Sequence, residues 1–192
     1  MRYILASASP RRRELFGRIE EDFEVLVPAA EESVPEGMDH GKAAMLLAET
    51  KGRAALAQFD CSDAMVVAAD TVVSAEGEML GKPKDAEDAY RMLKLLSGKT
   101  HTVYTGVALL TADGRERIFC DATEVEFYEL SDKMIRDYIN TNDPFDKAGA
   151  YGIQGKGCIL IKGIKGDYFN VMGLPVAKLF REREILLETQ EN

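Results

Sequence analysis

The stretch AMVVAAD, residues 64–70, constrains the fold more than any other. It is an unbroken apolar run closed by one carboxylate. A strand of this kind has to be covered on both faces, whereas a half-wet antiparallel strand would alternate. No apolar run in the chain approaches the ~20 residues needed to span a bilayer. Helix-like and strand-like segments interleave around this run, and some neighbouring strands are joined by hairpins. The pattern predicts an α/β fold with a mixed sheet flanked by helices.

The remaining elements follow from local signals. Residues 2–6 and FEVLV (23–27) read as strands, and 10–19 as a helix. GKAAMLLAETKGRAALAQF (41–59) reads as a helix with Leu47, Ala48, Ala54 and Ala55 inward. AMVVAAD should end at Asp70, with Glu76-Gly77 turning a hairpin between TVVS and EMLG. DAEDAYRMLKLLSG has Asp85 as N-cap, and Ala89, Met92, Leu93 and Leu96 form a helical stripe. THTVYTGVALLTADG and RERIFCDATEVEFYEL read as long partner strands around Asp113-Gly114. Then come a helix capped by Ser131, a glycine-rich loop DKAGAYGIQGKG, a strand CILIKGI and a closing helix LPVAKLFREREILLE. Residues from about Gln190 onward are expected to fray.

The chain has 192 residues, which suits a single domain over 1–192. Its net charge of −9 argues against nucleic-acid binding and against an anionic membrane surface. It leaves room for a local basic pocket. Cys61, Cys120 and Cys158 form no CxxC pair, so they are expected to be reduced core thiols in a cytoplasmic protein. The N-terminus lacks the apolar segment of a signal peptide.

The chemistry concentrates in LASASPRRREL, residues 5–15. Ser9 fits an N-cap and Pro10 the first helical position. Arg11, Arg12 and Arg13 then face the positive end of the helix dipole, which repels each by roughly 0.3–1 kcal/mol. An anion among them would relieve that repulsion, with N–H groups, hydroxyls and guanidinium forks all pointing at it. The competing reading is a solvated basic helix start. Asp70 ends an apolar strand, where a carboxylate can hold Mg²⁺ or act as a base; it could equally cap a turn. Lys82, between Gly81 and Pro83, sits on a rigid turn suited to phosphate. The acidic AAEES carries Glu31 and Glu32, one of which could recruit a divalent cation while the other is solvated. In DKAGAYGIQGKG, Asp146, Lys147, Tyr151 and Gln154 stand among glycines. The Gln154 amide carries donor and acceptor side by side, as reading a base edge requires; the alternative is a plain connector.

Two tempting motifs fail. SGKT (97–100) mimics the end of a phosphate-binding P-loop, but position 93 is Leu rather than Gly and a helix precedes it. His40 and His101 are the only histidines, so a histidine metal cluster is excluded and His101 is expected at a strand surface or in a hydrogen bond.

Taken together, LASASPRRREL, AAEES, ETKGRA, AADTVV, LGKPKDAEDAYRMLKLLSGKTHTVYTGVAL, DPFDKAGAYGIQGKG and GDYFNVMGLP closely resemble the Maf family of nucleotide pyrophosphatases. The resemblance implies two lobes around a cleft, as in inosine-triphosphate pyrophosphatases. It implies hydrolysis of a nucleoside triphosphate to monophosphate and pyrophosphate with a divalent metal, Mg²⁺ or Mn²⁺. The family's SxSxRR motif falls on Ser7, Ser9, Arg11 and Arg12. Its loop glutamate falls on Glu32, its helix lysine on Lys51, its catalytic aspartate on Asp70 and its turn lysine on Lys82. Its selectivity positions fall on Arg11, Thr71 and Gln154. ADT with DKAGAYGIQG resembles the branch acting on dTTP and UTP, and modified pyrimidine nucleotides stay open. The 7-methyl-GTP branch and a nucleotide-responsive regulator of septum formation with little turnover are the alternatives. The family habit also points to a homodimer.

Overall fold

Among the described residues seven strands join one sheet. In chain order they are β1 (Arg2–Ala6), β2 (Phe23–Leu26), β3 (Ala64–Ala75), β4 (Glu78–Leu80), β5 (Thr100–Thr111), β6 (Glu116–Phe127) and β7 (Ile161–Lys165). The computed structural model describes residues 1–188, so the fraying expected from Gln190 lies outside the described residues. The strand order is β2-β1-β3-β5-β6-β7, with β4 also pairing β3. β1 runs parallel to both β2 and β3, whereas β4 is antiparallel to β3 and β7 antiparallel to β6. The sheet is therefore mixed, as the sequence predicts.

The helices are α1 (Pro10–Phe16), α2 (His40–Gln58), α3 (Ala86–Leu96), α4 (Asp132–Ile139), α5 (Tyr168–Met172) and α6 (Val176–Glu188). The chain separates into two units. Among the described residues, unit 1 comprises 1–70, 105–121 and 173–188, and unit 2 comprises 71–104 and 122–172. The strands β3, β5 and β6 contribute residues to both.

In unit 1 the sheet is built by β1, β2 and parts of β3, β5 and β6. Its core holds Ile4, Ala6, Ala55, Cys61, Ala64, Val66 and Ala68 together. The helix α2 buries a face of Gly41, Ala43, Ala44, Leu47, Ala48, Gly52 and Ala55. Small residues there allow close approach to the sheet. A Cβ on Gly52 would stand 2.7 Å from Leu110 Cδ1, and one on Gly106 of β5 would stand 2.2 Å from the Ala44 backbone.

In unit 2 the amphipathic α3 buries its expected stripe, Ala89, Met92, Leu93 and Leu96, with Asp85 accepting from the Asp88 N–H as N-cap. These pack with Val103, Val125, Phe127, Ile135, Tyr138, Tyr151 and Leu160. The hairpin β3–β4 turns at Glu76 (φ 52°) and Gly77 (φ 81°), the left-handed pair that a two-residue turn demands.

Several expectations are corrected. β3 does not stop at Asp70 but runs on to Ala75, because Thr71, Val72 and Val73 are β-branched and the two valines are buried in the sheet. α1 ends at Phe16 rather than residue 19, since Gly17 closes the helix with its N–H on Arg13 O. The strand expected over CILIKGI begins only at Ile161, where its ladder to β6 starts opposite Phe127; residues 155–160 form a 3₁₀ turn. Cys158 is exposed rather than a core thiol, while Cys61 is buried and Cys120 half-buried. Of the two places expected for His101, a strand surface or a hydrogen bond, the structure shows the second: the ring is buried, with Nε2 2.7 Å from the Tyr151 hydroxyl.

Candidate functional site

The parallel arrangement of β1, β2 and β3 explains why the chemistry of unit 1 gathers where it does. Loops leaving the carboxyl ends of parallel strands share one side of the sheet. Ser7 follows β1, and the loop carrying Glu32 follows β2. β3 continues past them: its register with β1 runs to Leu5↔Val67, so Asp70 lies three residues beyond the last pair. Asp70 is thus past the end of β1 without being at the end of its own strand.

Local hydrogen bonds fix the first loop. The Ser9 N–H donates to Ser7 Oγ at 3.2 Å, and Ser9 Oγ accepts from the Arg12 N–H at 3.4 Å as the N-cap. Arg12 Nε donates to Gly173 O at 2.9 Å, which aims the guanidinium. Arg11 and Arg12 are half-buried, whereas Arg13 is exposed as expected. Because α1 is only seven residues long, Arg13 also stands in its last turn, where a cation is favourable. The electrostatic oddity of the sequence therefore rests on Arg11 and Arg12.

Lys51 lies on α2, the helix that small residues bring down onto the sheet. Its ammonium donates to Asp70 Oδ1 and stands 3.2 Å from Glu32 Oε1. The Lys51 and Asp70 side chains are 18% and 14% exposed, and Glu32 is 49% exposed. Burial pulls the Arg12 guanidinium below its ordinary value; Asp70 opposes this, Arg11 adds to it, and Glu32 opposes it. Arg11, Arg12, Glu32, Lys51 and Asp70 thus form one electrostatic group. Two carboxylates and three cations leave it with an excess of positive charge, in a chain whose total is −9. Such a group can hold a polyanion.

Glu32 and Asp70 are also hard oxygen donors sharing one cationic neighbour, so they suit a divalent cation. Among the described residues no group of three or more His, Cys, Asp or Glu is arranged to hold a metal ion. Glu32 and Asp70 are two such donors. That fits Mg²⁺, which takes one or two carboxylates and completes its octahedron with water and phosphate oxygens.

In unit 2, Lys82 is exposed on its Gly-Pro turn and Gln154 is half-buried. Thr71, also half-buried, follows Asp70 along β3. The Lys82 turn is joined to the glycine-rich loop, because the Gly149 N–H donates to Gly81 O at 3.0 Å. Gly149 has φ +67°, and a Cβ there would press on Val73 at 3.1 Å. The glycine-rich loop is no loose connector. One 3₁₀ turn (143–146) leads into it, a second (148–150) lies within it and a third (155–160) leaves it, and Lys147 ties it back to Asp143, which in turn accepts from Tyr138 on α4. Tyr138 and the Gly173 carbonyl were not foreseen. A tyrosine on a helix reads as core, and a carbonyl leaves no trace in residue type.

The sequence matches the family model described as Maf-like protein over residues 2–184. The chain belongs to the Maf-like family. A Carboxydothermus hydrogenoformans protein named dTTP/UTP pyrophosphatase is 49% identical to this Maf-like chain, over 95% of it and 97% of its own length. A Bacillus velezensis protein of the same name is 48% identical, over 94% of each. Among solved structures, the Staphylococcus aureus Ham1 protein superposes with a TM-score of 0.51 at 17% identity, covering 84% of the Maf-like chain and 80% of its own. At that identity the likeness is one of fold, and it agrees with the mixed α/β sheet. Among the described residues no helix is long and apolar enough to cross a membrane.

Proposed function

We propose that this Maf-like chain is a nucleoside triphosphate pyrophosphatase that hydrolyses dTTP and UTP to the monophosphate and pyrophosphate. The observation that carries the chemistry is the group of Lys51, Asp70, Glu32 and Arg12 in unit 1. The pyrimidine substrates follow from the relatives named dTTP/UTP pyrophosphatase.

In this reading Ser7, Arg11, Arg12, Lys51 and Lys82 bind the phosphate chain. Asp70 accepts a proton from the attacking water. The water oxygen bonds to the α-phosphorus as the bond to the bridging oxygen breaks, and the electron pair leaves on pyrophosphate. The arginines and lysines meet the developing charge, so catalysis is chiefly positioning and electrostatic stabilisation. Glu32 and Asp70 are the residues that would hold Mg²⁺ or Mn²⁺, which would supply further neutralisation of the phosphate charge. Arg11, Thr71 and Gln154 select the nucleotide. The free thiols support a cytoplasmic setting.

The test is pyrophosphate release from dTTP, UTP, CTP and 7-methyl-GTP, with and without Mg²⁺ or Mn²⁺. Metal-dependent release from dTTP and UTP is expected. A preference for 7-methyl-GTP, or tight nucleotide binding with no release, would overturn the assignment.

A further inference from the structure

The loop that carries Gln154 is closed by a chain of contacts in which Lys147, Asp143 and Tyr138 take part. The Lys147 side chain is only 11% exposed, and its ammonium stands 3.1 Å from Asp143 Oδ1 and 2.6 Å from Asp146 Oδ1. It also donates to the Asp143 carbonyl oxygen. The other Asp143 oxygen, Oδ2, accepts from the Tyr138 hydroxyl at 2.7 Å, and that hydroxyl in turn accepts from the Gly152 N–H at 3.2 Å. Burial and the bond to Asp143 hold the Tyr138 hydroxyl well above its ordinary value, so it remains the donor in this pair.

The aliphatic stem of Lys147 does a second job. A Cβ on Gly152 would stand 2.6 Å from Lys147 Cε, so the stem lies directly over Gly152. Below it, a Cβ on Gly157 would come within 2.2 Å of the Gly152 carbonyl oxygen. Gly152 is therefore held by its N–H, by its carbonyl side and by a lysine stem. Gln154 follows two residues later. The segment between Gly152 and Gly157 has little freedom while Lys147 is in place.

We propose that Lys147 is a positioning residue for Gln154: by closing the loop 143–152 and seating Gly152, it sets where the Gln154 amide stands, and so sets the choice of nucleobase. This rests on the reading that Gln154 recognises the base. The carboxylates that engage Lys147, Asp143 and Asp146, belong to its own loop, whereas those that engage Lys51 are Asp70 and Glu32. The neutral, unbranched Met keeps the stem and deletes the ammonium, and Arg restores the charge.

The experiment compares Lys147→Met, Lys147→Arg, Gln154→Ala and the double variant Lys147→Met/Gln154→Ala. It reads kcat and KM for dTTP and CTP, and amide hydrogen exchange over residues 152–157. Lys147→Met should lower the dTTP-over-CTP ratio of kcat/KM about tenfold, mainly through KM for dTTP, as small misplacement of a contact group does. It should also speed exchange at Gly152, and Lys147→Arg should recover most of both. If Lys147 acts through Gln154, the double variant is no less selective than Gln154→Ala alone. A Lys147→Met protein that keeps its selectivity, or loses rate on both nucleotides equally, overturns the proposal while Gln154→Ala still shifts the ratio. A Gln154→Ala protein with unchanged selectivity overturns the reading of Gln154 itself, and the proposal with it.

Discussion

Asp70 carries several roles in the proposed reaction, a share with Glu32 in holding the divalent cation among them. It accepts a hydrogen bond from Lys51, and in the proposed reaction it takes a proton from water. Asparagine in its place keeps the shape and still accepts from Lys51, but cannot take the proton. Asp70→Asn should therefore lose about 10²–10⁴-fold in turnover, the range of a lost general base. The circular dichroism spectrum should stay that of the parent, and near-parental pyrophosphate release would remove Asp70 from that role. At this scale the sequence is a good guide to which residues matter and a poor one to their partners. Ser9 as cap, Pro10 as first helical residue and Arg13 as the exposed arginine are legible because each depends on neighbours within four positions. That Arg12 is aimed by the carbonyl of Gly173, 161 residues away, is set by the tertiary fold alone.

Between elements, the decisive contact is α2 against β5. Two glycines and four alanines on the buried face let the helix lie close, and Lys51 reaches Asp70 only from a helix this near the sheet. Gly106 is the tightest point of that contact, because an added methyl meets the Ala44 backbone rather than a side chain that could swing aside. Gly106→Ala should destabilise by about 1–3 kcal/mol or more, as overpacking of a rigid core does. Urea unfolding measures it, and an unchanged midpoint would show that α2 can back away at no cost. The same variant should weaken nucleotide binding, since backing away lifts Lys51. Elements were legible wherever their signals are local: the α3 stripe, the caps Asp85 and Ser131, and the Glu76-Gly77 turn all stand where the sequence puts them. The ends of β3 and β7 were not, because ladder register decides them. Asp70 interrupts the apolar pattern of β3 without interrupting its backbone.

For the molecule as a whole, three strands of twelve residues each serve both units, so melting one unit breaks strands of the other. One cooperative unfolding transition is expected, and a buried titrating group in unit 2 should shift all of it. His101 is that group. It is 3% exposed, packs edge-on against Phe127 and Tyr151, and shares a 2.7 Å hydrogen bond between Nε2 and the Tyr151 hydroxyl. Its other ring nitrogen, Nδ1, is buried with no hydrogen-bond partner among the described residues. Burial lowers its pKa from 6.5 to about 4, because a charged imidazolium would lose hydration there. The unfolded chain therefore binds the proton more tightly than the folded one. Stability is complete above pH 6.5, falls as the pH drops toward 4, and stops falling through this group below that value. At its steepest the slope is about 1.4 kcal/mol per pH unit for one proton. His101→Phe keeps the ring packing and removes the titration. It also leaves the Tyr151 hydroxyl without Nε2, so the variant should be less stable at pH 7 yet lose less on acidification. Urea midpoints at three pH values between 7 and 4.5 for both proteins decide the matter: parallel slopes would show that the acid sensitivity comes from carboxylates common to the two.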